Sequence, residues 1–153
     1  MLTRKEFSLV LAGALIAGGV VTMAQSVKKT TMTSTAIEWN SIEAKTNANG
    51  SSKKFFEGPT PTLDMLECHA STLKPGAANH EILKRANDEV IIVKEGTLEA
   101  YVGDKWVKLG PGSVIFNAAN VDQSMRNTSD AAATYHVVTF RPAPVAPNTK
   151  TGN

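Results

Sequence analysis

The stretch from Pro75 to Asn127, PGAANHEILKRANDEVIIVKEGTLEAYVGDKWVKLGPGSVIFNAANVDQSMRN, decides the fold. Short apolar runs alternate with turn formers: Pro75-Gly76 at the start, Gly96 in the middle, then Gly103-Asp104-Lys105 and Gly110-Pro111-Gly112. Glycine allows positive φ and proline presets φ, so this punctuation separates strands. Gly96 to Val102 and Trp106 to Leu109 flank a hairpin turn, while Ser113 to Phe116, Gln123 to Asn127 and Thr134 to Phe140 form further strands. Upstream, Leu63 to Leu73 is a strand running into the Pro-Gly turn, and Lys53 to Thr62, with Gly58-Pro59 and Pro61, has a loop signature. The fold class expected is all-β and antiparallel.

Leu83 to Glu95 is expected to be one extended segment. Alternation then puts Leu83, Arg85, Asn87, Glu89, Ile91 and Val93 on one face and Val90 and Ile92 on the other. The apolar run Val90 to Val93 predicts a strand covered on both sides, by a second layer or by a partner subunit. A homodimer formed through the outer face that includes Val90 or Ile92 is the expected assembly.

Glu89 followed by Gly96, the hairpin, Gly110-Pro111-Gly112 and Asn127 together resemble the two motifs of small bacterial cupins of the RmlC-like superfamily, over roughly residues 63 to 140. The resemblance implies a single small cupin barrel, an antiparallel jelly-roll. In such relatives the first motif supplies two or three His and a Glu to a divalent metal, and the second motif supplies one more His. Laid on this chain, the first His falls on His80 and the Glu on Glu89, whereas the other three positions hold Leu83, Arg85 and Gln123. The metal motifs are therefore degenerate.

Arg85 cannot ligate a metal because a guanidinium has no acceptor lone pair, and Gln123 is a poor transition-metal ligand. Glu89, in mid-strand among Val and Ile, should not be buried without a positive partner, a role Arg85 can fill. The competing reading puts Arg85 past the rim in water. His80 follows the Pro-Gly turn, where a barrel mouth is expected; an ordinary surface His is its alternative. His136 lies between Tyr135 and Val137 on the final strand, and either it or Tyr135 faces inward. His69 carries no signal that separates it from a structural residue. The expected pocket is thus lined by His80, Arg85, Glu89, Gln123 and His136, takes a small polar molecule, and uses no metal and no cofactor. One alternative is a metal-dependent cupin enzyme, an oxygenase, isomerase or lyase, with a divalent transition metal on His80, Glu89 and a third candidate ligand, His136. Another is a metal-free enzyme with His as base.

Composition bounds the rest. The chain has 153 residues, 42% of them hydrophobic, and a formal charge of +2. Residues 1–25 look like a leader: Arg4-Lys5, an apolar run from Phe7 to Ala24, and Thr-Met-Ala before Gln25. Thr3-Arg4-Lys5-Glu6-Phe7 resembles the twin-arginine signal with Lys as its second basic residue; an ordinary secretory leader and an uncleaved anchor are the alternatives. Without it the charge is +1, which argues against a nucleic-acid partner. Residues 26–54 are expected to be a polar spacer with one element that docks Trp39, residues 55–141 the cupin domain, and residues 142–153 a Pro-rich extended tail. Cys68, the only cysteine, allows no intramolecular disulfide. The expected location is the periplasm or the exterior, with no membrane attachment once the leader is cleaved.

Overall fold

The computed structural model describes residues 30–144, so the leader and most of the tail lie outside the described residues. Its strands are β1 (Lys45–Thr46), β2 (Gly50–Gly58), β3 (Leu63–Leu73), β4 (Leu83–Lys84), β5 (Asp88–Glu95), β6 (Leu98–Val102), β7 (Lys105–Leu109), β8 (Val114–Asn117), β9 (Asp122–Arg126) and β10 (Ala133–Pro142). They form a six-stranded sheet, ordered β1-β2-β3-β10-β5-β8, and a four-stranded sheet, ordered β4-β9-β6-β7. Every paired strand is antiparallel, giving a jelly-roll.

Glycines stand where the backbone demands them. Gly96 has φ of 76°, and a Cβ there would come within 2.7 Å of the Ala132 carbonyl oxygen. Gly103 and Asp104 both have positive φ, which matches the twist of the β6–β7 hairpin they close. Inward residues of both sheets, among them Leu73, Val93, Leu98, Ala100, Met125 and Ala133, pack into one core.

Asn127 clamps that end of the barrel. Fully buried, it donates from its side-chain amide to the carbonyls of Leu73 (3.1 Å) and Ala131 (2.7 Å). Its Oδ1 accepts from the Ser129 amide (3.0 Å) and hydroxyl (2.7 Å). One side chain thereby ties β3 to the turn before β10.

Two expectations about local structure need correction, and a third, cover on both faces of β5, is met only in part within the protomer. Leu83 to Glu95 is not one strand. Leu83 pairs with Gln123 in the smaller sheet, Glu89 pairs with Thr139 and Asn117 in the larger, and the chain changes sheets across residues 85–87. The Asn120 amide donates to the Arg85 carbonyl (2.6 Å), and the Ala119 amide to the Asp88 carboxylate (2.7 Å), which fix the corner. Nor is Lys53 to Thr62 a loop throughout, since β2 continues to Gly58 and occupies part of the presumed spacer. A strand as polar as Gly50–Gly58 forms because β3 pairs with it along its length, which outweighs its own propensity. Last, the outer face of β5 is not covered along its length within the protomer. Ile92 is 40% exposed, and on the neighbouring edge strand Val114 and Phe116 are 63% and 58% exposed. The cover that exists is Trp39, in a 3-10 turn at Trp39–Ser41, which packs against Phe55 and His136 with Lys94 Nζ 3.9 Å from its ring centre.

Candidate functional site

The register of β10 sets what the inner face of the large sheet presents. Thr139 lies between Glu67 of β3 and Glu89 of β5, Val137 between His69 and Ile91, and Tyr135 between Ser71 and Val93. With strands about 4.8 Å apart, the Glu67 and Glu89 backbones stand roughly 10 Å apart, flanking Thr139. All of these except Val93 line a cavity of about 580 Å³ that is also bordered by Asn79, His80 and the corner from Leu83 to Asn87. The polar end of the barrel is therefore one row of acids and hydroxyls along a sheet wall, faced by a basic corner.

Arg85 meets Glu89 there. Its Nε is 3.8 Å from Glu89 Oε1, a contact produced by the corner and not by strand alternation, which would have left the two side chains about 13 Å apart along a strand. Glu89 is 8% exposed, and its other partner is the Thr139 hydroxyl, which donates at 3.4 Å. Charge-assisted hydrogen bonds to carboxylates are normally about 2.7–2.9 Å, so both contacts are long for a buried charge. His69 Nδ1 lies 3.4 Å from Glu67 Oε1, yet it is a buried atom without a hydrogen bond, and so is Asn87 Oδ1. Two residues of the cavity wall thus carry buried polar atoms without a hydrogen bond.

Tyr135 behaves differently. Burial pushes its hydroxyl up to about 12, against the lowering effect of hydrogen bonds with the Ser71 and Asn79 side chains. It stays a neutral phenol and donor at neutral pH.

The residues singled out from the sequence distribute unevenly. His80, Arg85 and Glu89 all line the cavity. Ring nitrogen Nδ1 of His80 is 2.6 Å from the Glu81 carbonyl oxygen, and the Ser124 hydroxyl donates to its backbone carbonyl (2.7 Å), which together seat the residue at the mouth. Gln123 does not line the cavity; it is buried, and its Oε1 accepts from the Asn117 amide at 2.5 Å. His136 is on the opposite face of β10, stacked on Phe55 and edge-on to Trp39. Tyr135 takes the inward place because alternation allows only one of the two. Sequence reasoning missed Glu67, His69 and Ser71, whose spacing of two along β3 is the signal for one shared face.

These residues do not fit a divalent metal. Leu83, Arg85 and Gln123 stand at three of the expected ligand positions, the Arg85 cation lies beside Glu89, and among the described residues no three His, Cys, Asp or Glu side chains converge.

Comparison with known proteins adds the family. The family described as Cupin domain matches residues 70–139, from β3 through β10. An RmlC-like cupin from Shewanella frigidimarina superposes with a TM-score of 0.59 at 16% identity, covering 73% of this chain and 94% of that one. The polyketide cyclase RemF from Streptomyces resistomycificus gives 0.59 at 13% identity, covering 75% and 89%. A sugar phosphate isomerase of the cupin superfamily from Silicibacter pomeroyi gives 0.54 at 20%, covering 70% and 76%. At these identities the likeness concerns the fold alone. No curated protein matches the chain. With the double-sheet topology, the paired glycine motifs and the family match in agreement, residues 70–139 of this chain form a cupin domain.

Proposed function

We propose that this protein is exported and binds a small polar molecule in its barrel, without a metal and without turning the molecule over. One observation carries the reading: a nearly buried Glu89 with two long contacts lines a cavity together with His69 and Asn87, each of which has a buried side-chain atom that makes no hydrogen bond. Buried polar groups are paired in stable proteins, and a ligand that completes such groups gains what the empty protein forgoes. The leader pattern of residues 1–25 supports export to the periplasm or exterior. Val90, Ile92, Val114 and Phe116 support a homodimer through the outer face of β5 and β8, with no nucleic-acid or membrane partner.

The test of the site is elemental analysis of the purified protein beside thermal shift with polar metabolites. Melting should rise with at least one of them, and no stoichiometric transition metal should be found. Close to one Mn, Fe, Ni or Zn per chain would overturn the metal-free reading and put a metal-dependent cupin enzyme first. Light scattering tests the dimer, and a strict monomer at micromolar concentration removes it. One observation favours a second reading, a metal-free acid–base enzyme: Glu67 lies 3.4 Å from His69 on the cavity wall, a placement that can orient an imidazole base.

A further inference from the structure

The charges that line the cavity are sorted in space. Both acids, Glu67 and Glu89, stand on the sheet wall in one row about Thr139. Both cations, Lys84 and Arg85, stand on the corner where the chain passes from the small sheet to the large. The lining is balanced in formal charge but strongly dipolar, so a ligand with net charge of either sign leaves one side worse off. The acids of the wall have only long contacts: Glu67 Oε1 is 3.5 Å from Lys54 Nζ and 3.4 Å from His69 Nδ1. Glu89 receives one hydroxyl at 3.4 Å, and the buried Asn87 Oδ1 beside the corner receives none.

We propose that the ligand is a small zwitterion, a protonated amine joined by a short spacer to a carboxylate, with the amine against the Glu67–Thr139–Glu89 row and the carboxylate on Lys84 and Arg85. An ammonium brings three donors and no acceptor, which suits acids that have only long contacts. The carboxylate takes over the guanidinium, whose side chain is 45% exposed and only loosely engaged with Glu89, so it can turn toward the mouth without breaking a close hydrogen bond. This deepens the small-molecule reading and rests on it.

The experiment is calorimetry of the purified protein with four-carbon probes of equal length: 4-aminobutyrate, butyrate, butylamine and butane-1,4-diol, with xylitol and galacturonate as polyol and sugar-acid controls. The 4-aminobutyrate should bind at least about tenfold tighter than any other probe, since each charge-assisted contact is worth more than one decade. Glu89→Gln should bring its affinity down to that of butyrate, and Arg85→Gln to that of butylamine, with thermal unfolding showing both variants folded. Equal or tighter binding of the diol, xylitol or galacturonate overturns the zwitterion and leaves the small-molecule reading standing. Silence of the four-carbon series alone also overturns it. Silence of all six probes counts against both.

Discussion

The two ends of the barrel interior, joined by β3, treat their polar groups in opposite ways. Around Leu73, Leu98, Met125 and Ala133, the buried Asn127 uses both amide hydrogens and its carbonyl in four hydrogen bonds. At the other end, His69 Nδ1 and Asn87 Oδ1 are buried without a hydrogen bond, and Glu89 has only two long contacts. The first end stabilises the fold, and the second forgoes stability to keep groups available. A cupin barrel divides these tasks along the strand axis, since residues two apart share a face and lie about 6.6 Å further along.

Asn127→Ala is the strongest way to sharpen that contrast. It removes the side-chain partner of the Leu73 carbonyl and of the Ser129 amide, while the Ser129 hydroxyl and the Ala131 carbonyl keep each other, so unfolding free energy should fall by about 3 kcal/mol, measured by urea denaturation. A loss below about 1 kcal/mol would mean that the closed end does not depend on its polar clamp.

Rebuilding ligands at the open end comes next. Leu83→His, Arg85→His and Gln123→His together should create metal binding, whereas Gln123→His alone should not. At ~6 Å and an effective dielectric of ~20, an Arg cation repels a divalent ion by roughly 5 kcal/mol; the 45% exposure of Arg85 screens this to about 3 kcal/mol, or a hundredfold in affinity. Elemental analysis of the triple variant, the single variant and the parent decides it. Equal metal content in all three breaks the argument that Arg85 guards the site. Because Gln123 is buried and bonded to Asn117, the triple variant also has to be shown folded.

Glu89→Gln probes the open end by itself. Removing a buried charge with only two long contacts should change stability by less than about 1 kcal/mol in either direction, against the large loss at Asn127. A loss of several kcal/mol would show that Glu89 holds the fold together after all.

The smallest effect lies outside the barrel. Burial first and Lys94 second hold His136 below its ordinary 6.5. The unfolded chain therefore binds the proton more readily between 6.5 and the lowered folded value, so stability is full above 6.5, declines as pH falls through that window and then levels off. Thermal unfolding against pH should show a shallow slope there that His136→Phe flattens. An unchanged slope would place the titration elsewhere.

How much of this could be seen in the chain follows from the range of the forces involved. Turn glycines act over a few bonds, so Gly96, Gly103 and Gly112 marked the strand ends, and the span of β3 from Leu63 to Leu73 follows from its flanking turns. Alternation put Glu89, Ile91 and Val93 on one face, and all three are buried there. Which of Tyr135 and His136 faces inward was not legible, because alternation fixes that two neighbours differ and not which way the strand is turned. Sheet pairing decided that β2, polar from Ser51 to Lys54, is a strand, and the change of sheets across residues 85–87 decided that Arg85 meets Glu89. The polar row Glu67–Thr139–Glu89 joins residues as far as 72 positions apart, and only the register of β10 between β3 and β5 brings them together. By itself the sequence determined most strands from β3 onward, the family likeness and which residue types stand at the expected ligand positions, all carried by local backbone preference and residue chemistry. The cavity, the inward Tyr135, the outward His136 and the sorted charges were decided only by the tertiary structure, because register and sheet exchange are set by long-range pairing that no local pattern encodes.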